Sequence, residues 1–262
     1  MSATAPGMTI STIDKPGRGF RLAQVSDCHL SASPDKPYRR LRADSGLEAV
    51  VAAAARWQPD VVLVTGDLSE DASETSYQRL AGQLAKLDVP VWVLPGNHDL
   101  PARMQPYFPC GPYPGATTQF AAGWQFLLLD SSRPGRIDGS IDPDQLEQLE
   151  QQLKPGVPAL LALHHQPIAI GSPWIDKYHL AQPDSLLGFV AGHPEIKAVV
   201  WGHVHQVFER QIGGARFMSC PSSAANSLPG CERFTHDPAG PAFRWLELFD
   251  NGGFETGILR GS

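Results

Sequence analysis

The chain has 262 residues, with 21 Lys and Arg against 27 Asp and Glu, a net charge of −6 and no long basic run. That balance argues against nucleic acid as the main partner and leaves room for a small anionic substrate. No apolar stretch approaches the roughly 18 residues of a membrane helix. The four cysteines (28, 110, 220, 231) form no Cys-x-x-Cys pair, and no leader is visible, so the expectation is a cytoplasmic protein with no membrane partner.

Residues 1–18 are small, polar and poorly patterned, which predicts a loose lead-in to one domain spanning 19–262. Apolar runs predict strands at 20–27, 61–67 and 91–95, alternating with helices near 42–57 and 73–87, the pattern of a parallel βαβ sheet. The alternation continues through a strand at 124–130, a helix at 143–153, a strand at 159–164, a helix near 184–191 and a strand at 196–201. From Val207 onward, strands at 207–211, 216–219, 243–249 and 254–259 are joined by Gly-rich turns. These predict a second, mostly antiparallel sheet packed on the first. Pro-rich loops at 101–115 and 166–173 are expected to shape the rim of a site.

The chemistry sits where these runs end: Asp27-Cys28-His29, Gly66-Asp67, Gly96-Asn97-His98-Asp99, His164-His165 and Gly202-His203-Val204-His205. On a strand, Asp27 and His29 would project from one face while Cys28 points to the other, where a buried, inert thiol is the simpler reading. Asp67 has two carboxylate oxygens and is the candidate bridge between two ions about 3.5–4 Å apart, the spacing of two-metal hydrolytic sites. Asn97 adds a neutral carbonyl oxygen that limits the negative charge of the ligand set. Gly66, Gly96 and Gly202 each precede a ligand, where a turn or close backbone approach favours a residue without Cβ.

Taken alone, each piece is more often a hydrogen-bonded turn or strand end than a metal site. Together they are not, because six of the nine histidines fall at these strand ends. His179, His193 and His236 lie in polar or Pro-containing loops and are assigned no metal.

In this order the motifs resemble the calcineurin-like metallophosphoesterases, whose pattern is Asp-x-His, Gly-Asp, Gly-Asn-His-Asp/Glu, His and Gly-His-x-His. The resemblance runs over about residues 20–262. It is nearest to the class III cyclic nucleotide phosphodiesterases, including the bacterial enzymes that hydrolyse 3′,5′-cyclic AMP, through Leu-Pro-Gly-Asn-His-Asp at 94–99, Ser-Pro-Trp-Ile-Asp at 172–176, Pro-Ser-Ser at 221–223 and Trp-Leu-Glu-Leu at 245–248. Asp-Ser-Ser-Arg at 130–133 is instead similar to the related glycerophosphodiesterases. Cys28 departs from the threonine usual in the cyclic AMP enzymes, and Gln166 from proline or histidine.

The resemblance implies an α/β fold of two packed mixed β-sheets flanked by helices, in four αββα layers. It implies two divalent metal ions, one held by Asp27, His29, Asp67 and His205, the other by Asp67, Asn97, His164 and His203. Histidine, carboxylate and amide ligands suit Fe, Mn or Zn alike, and the resemblance favours Fe and Mn. His98 would be catalytic, with Asp99 orienting its ring. Substrate contacts would come from His29, Asp67, Asn97, His98 and His205. For His165, alternation makes a packed role as reasonable as a substrate role. Trp174 and Tyr178 are candidates for a wall against the base, with plain packing as the alternative.

The implied reaction is hydrolysis of cyclic AMP to 5′-AMP by a hydroxide held between the metals. A broader phosphodiesterase acting on glycerophosphodiesters or 2′,3′-cyclic nucleotides is the alternative. A homodimer is compatible with the resemblance.

Overall fold

Residues 9–10, 18–113 and 115–261 are described by the computed structural model of the chain. The lead-in expected at 1–18 lies outside the described residues, apart from Arg18 and a short strand, β1 (Thr9–Ile10), which pairs in parallel with the edge of a sheet. In chain order follow β2 (Phe20–Val25), α1 (Ala43–Trp57), β3 (Val61–Thr65), α2 (Glu74–Leu84), β4 (Val91–Leu94) and α3 (Pro101–Met104). Next come β5 (Ala116–Ala121), β6 (Trp124–Leu129), α4 (Pro143–Gln152), β7 (Ala159–Ala162), α5 (Pro173–Asp176) and α6 (Asp184–Gly192). The chain ends with β8 (Ile196–Trp201), β9 (Glu209–Ile212), β10 (Ala215–Ser219), β11 (Ala242–Leu248) and β12 (Phe254–Arg260).

The strands form a five-stranded sheet, β12-β11-β2-β3-β4, and a seven-stranded sheet, β1-β5-β6-β7-β8-β10-β9. Strands β3, β6 and β7 are buried at every position, because each is covered on both faces and reads as a continuous apolar run. One face of each sheet meets the other in a shared layer containing Leu22, Leu63 and Trp92 opposite Phe126, Leu160 and Val200. The outer face of the smaller sheet takes Leu47, Val50 and Ala54 of α1 and Tyr77 and Leu80 of α2. The outer face of the larger sheet takes Leu149 of α4 and Leu186 and Val190 of α6. Helix, sheet, sheet, helix is therefore the layer order, with two mixed sheets.

One expectation needs correction, and one strand was not foreseen. The strands after Val207 do not form a sheet of their own. Strands β9 and β10 extend the larger sheet beside β8, while β11 and β12 turn back to flank β2. Met218 of β10 and Leu246 of β11 thus meet in the layer between the sheets. The run 116–121, assigned no element from the sequence, is β5, paired antiparallel with β6. Its two-residue turn, Ala122-Gly123, has φ of 47° and 74°, both in the left-handed region that suits the twist of a tight hairpin. The exposed edge strand β9 carries Glu209 and Arg210, charges that discourage further strand pairing.

Candidate metal centre

The carboxyl ends of β2, β3, β4, β7 and β8 come together along one rim of the sandwich, and the five motifs follow them. The backbone there differs from the expectation of simple strand alternation. Asp27 (φ 53°), His29 (46°), Asp67 (51°), His203 (64°) and His205 (51°) all lie past the strand ends in left-handed conformation. Asp and His tolerate that region better than most side chains, yet each such residue costs on the order of 1 kcal/mol or more. Backbone bonds between loops hold them: Asp27 N–H donates to Gly66 O and His29 N–H to Asp67 O, both at 3.0 Å. The glycines fit tightly. Gly66 has φ 91°, and a Cβ on Gly96 would fall onto the Asp67 carboxylate.

Two groups of acceptors share Asp67. In the first, Asp27 Oδ1 lies 3.2 Å from His205 Nε2, and His29 Nε2 also lies 3.2 Å from His205 Nε2. His205 Nδ1 donates to Ala225 O at 2.7 Å, and His29 Nδ1 meets the Glu70 carboxylate at 2.9 Å. Both rings are therefore held with Nε2 facing inward, toward each other and toward the Asp27 carboxylate. In the second group, His164 Nδ1 donates to Thr65 O at 2.7 Å, turning Nε2 toward Asn97 Oδ1 (3.3 Å) and Asp67 Oδ2 (3.5 Å). His203 Nε2 is buried and has no hydrogen-bond partner among the described residues. Anchoring one ring nitrogen on a carbonyl or carboxylate is how proteins present the other to a metal. Ring nitrogens and carboxylate oxygens that converge at this spacing, with one nitrogen orphaned among the described residues, fit divalent cations.

The electrostatics agree. Burial lowers the His164 pKa, but Asp67 and Asp27 outweigh it and push it up to about 9, so without a cation a proton takes that place. Burial, with His164 close by, holds His203 down at about 3, in the neutral form a ligand needs. Against its own burial, Asp67 is kept well below the usual carboxylate range by His164, His98 and His29.

Several predicted roles shift. Asp99 does not touch the His98 ring. Its carboxylate accepts N–H bonds from Gly96, Leu68 and Ser69 and the Tyr77 hydroxyl, so it ties the loops after β3 and β4 together. The His98 ring is held instead by Glu70, whose Oε2 lies 3.3 Å from Nδ1. His165 has both nitrogens engaged, by Ser131 Oγ at 2.9 Å and Ile137 O at 3.1 Å, and is fully buried. It therefore has no atom free for substrate or metal, although it lies beside His164 and His203. Cys28 is buried in the core, and desolvation pushes its thiol up to about 12. It is inert, as its sequence context suggests. His179 and His236 are exposed, and His193 pairs with Glu150.

Asp67, Asn97, His98, His203 and His205 line a cavity of about 530 Å³, within the range of a nucleotide-sized pocket. Its walls include the predicted Trp174 and Tyr178, and also Tyr38, Arg39 and Phe234, which sequence reasoning missed. Glu70 was missed as well. Its only signal is its place three residues after Asp67 in the same loop.

This ligand geometry has a counterpart among known proteins: the Calcineurin-like phosphoesterase family model matches residues 20–207. The chain belongs to the calcineurin-like phosphoesterase family. Similar relatives within reach of this phosphoesterase include the 3′,5′-cyclic adenosine monophosphate phosphodiesterase CpdA of Pseudomonas aeruginosa, 37% identical over 91% of this chain and 89% of the relative. The CpdA of Escherichia coli K12 is 34% identical over 92% and 89%. Among solved structures, a dimetal phosphatase from Danio rerio matches with a TM-score of 0.72 at 14% identity, covering 94% of this chain and all of that one. At that identity the likeness is one of fold. The family fold implies divalent metal ions, and the converging acceptors are where this phosphoesterase can hold them. Among the described residues, no helix is long and apolar enough to cross a membrane.

Proposed function

We propose that this phosphoesterase hydrolyses 3′,5′-cyclic AMP to 5′-AMP, with residues 19–262 acting as one unit. The observation that carries the reading is the pair of acceptor clusters sharing Asp67 at the wall of a nucleotide-sized cavity. The substrate follows from similarity to relatives named as cyclic AMP phosphodiesterases. Asp27, His29, Asp67 and His205 would hold one ion, and Asp67, Asn97, His164 and His203 the other. Iron and manganese are the favoured pair by family resemblance, the donor set suiting zinc as well. When bound, the two cations supply Lewis acidity toward the phosphoryl oxygens and lower the pKa of a water toward neutrality.

The chain's own groups do the rest. Glu70 holds His98 by Nδ1, leaving Nε2 directed by a fixed ring at the cavity, where it can protonate the departing 3′-oxygen. Water oxygen joins phosphorus, the bond from phosphorus to the 3′-oxygen breaks, and one proton ends on that oxygen. Asp99 and Tyr77 act at one remove, by fixing the loop that carries Asn97 and His98. The buried Tyr38 and the half-buried Trp174 form walls that limit water around the substrate. A homodimer is part of this reading, as is a small-molecule partner rather than a polymer.

The test is hydrolysis in ¹⁸O-water by protein reconstituted with Fe and Mn. The reading predicts 5′-AMP carrying one label on its phosphate. Intact cyclic AMP after exposure to fully metal-loaded protein would contradict it.

A further inference from the structure

One side chain on the cavity wall has a placement that packing does not explain. Arg39 and Arg40 are consecutive non-glycine residues in the left-handed region, at φ 47° and 71°. Such strain persists where the surrounding structure enforces it, and it gathers at sites that bind. Here it delivers the Arg39 guanidinium face-on to Phe234, with the carbon centre 3.8 Å from the ring centroid, and places it near Tyr38 (5.4 Å) and Trp174 (5.9 Å). Tyr38 in turn stacks on His29 at 3.9 Å and 8°, so one aromatic ring separates the guanidinium from a proposed metal ligand.

Stacking fixes the plane of the guanidinium and leaves its edge unused. Among the described residues only Nε is engaged, donating to the Tyr38 hydroxyl at 3.1 Å. Among the described residues no carboxylate lies within ion-pair distance of Arg39, unlike Arg136 on the same cavity wall, which pairs with Asp138 at 2.9 Å. A planar fork of donors, oriented by aromatic rings and facing a cavity, recognises two adjacent acceptors in one plane. In a purine nucleotide whose phosphate sits at the metal centre, that pattern is the O6 and N7 edge of guanine. Adenine offers one acceptor there beside an amino donor.

We propose that Arg39 is a specificity-determining residue that reads the acceptor edge of the substrate's base and admits 3′,5′-cyclic GMP alongside cyclic AMP. The inference rests on the cyclic nucleotide reading above. Arg39 is exposed and its contacts are the Tyr38 hydroxyl and the Phe234 ring, so the melting temperatures of Arg39→Met and Arg39→Lys are measured beside the kinetics to show that the fold is kept.

The experiment measures kcat/KM for cyclic GMP and cyclic AMP, and the affinities of 5′-GMP and 5′-AMP by calorimetry, on metal-loaded wild type and both variants. Loss of a bidentate pair predicts a fall of roughly tenfold or more for the guanine ligands, with a much smaller change for adenine. Lysine, a point charge, does not restore the difference. Equal losses for both bases, no loss for either, or a wild type that turns over cyclic AMP but not cyclic GMP would overturn the proposal. If wild type hydrolyses bis(p-nitrophenyl) phosphate but neither cyclic nucleotide, the substrate reading fails, and the 5′-nucleotide affinities still decide the role of Arg39.

Discussion

Glu70 touches two histidines with different duties: its carboxylate fixes His29 by Nδ1 at 2.9 Å and lies 3.3 Å from His98 Nδ1. Glu70→Gln keeps the size and removes the charge. It is expected to cost about 10- to 100-fold in metal affinity or turnover with little change in melting temperature, measured by metal titration and steady-state kinetics. Full activity in that variant would remove Glu70 from the centre. Asn97→Ala deletes the oxygen 3.3 Å from His164 Nε2. It should cut turnover strongly and lower metal content below two ions per chain without unfolding, and unchanged turnover would exclude Asn97. The proposed ligands were legible in the sequence because histidines and carboxylates rarely cluster behind apolar runs and glycines. Glu70 was not, since its part depends on how the loop after β3 curls back. The Asp99–His98 contact failed because neighbours on a tight loop point apart, which spacing alone does not reveal.

At the scale of elements, α2 is coupled to the loop after β4 through the Tyr77 hydroxyl. That group donates to Asp99 Oδ1 at 3.2 Å and accepts the Leu100 N–H at 3.0 Å. Tyr77→Phe removes the acceptor of the Leu100 N–H and one of four donors to the buried Asp99 carboxylate, and is expected to cost about 1 kcal/mol, read from urea unfolding. A stability equal to wild type would mean that water or a shifted loop replaces the bonds. At the end of β6, burial pushes the Asp130 carboxyl from an ordinary value of 3.8 up to about 6. Its folded pKa is raised, so stability is full below about pH 4, declines as pH rises and is lost above about pH 6, by at most about 3 kcal/mol. Asp130→Asn should therefore raise the melting temperature at pH 7.5 and leave it unchanged at pH 4, in chelated protein. A pH-independent difference would contradict this. Strand positions were readable from apolar runs, while partners were not: nothing local in 215–219 or 242–248 says which sheet each joins. Strand β5 was hidden because Ala-Gly is a weaker hairpin signal than Asn-Gly.

For the molecule as a whole, the metal centre concentrates strain and like charge where the two sheets open. Five left-handed residues and the buried carboxylates Asp27 and Asp67 favour a bound cation over an empty site. Chelation should lower the melting temperature by about 5–10 °C for ions present at about a hundred times their dissociation constant, and added Mn²⁺ should restore it. No shift on chelation would mean that the acceptors are satisfied without metal. The four-layer architecture was legible only through family resemblance, since the layer between the sheets is assembled from strands far apart in sequence. The measurement that bears most directly on the account compares kcat/KM of the Fe- and Mn-loaded protein for 3′,5′-cyclic AMP, bis(p-nitrophenyl) phosphate and glycerophosphoethanolamine. The account predicts that cyclic AMP is converted to 5′-AMP with the highest efficiency of the three. Turnover confined to the other two would contradict it, leaving a dinuclear phosphodiesterase with a different substrate.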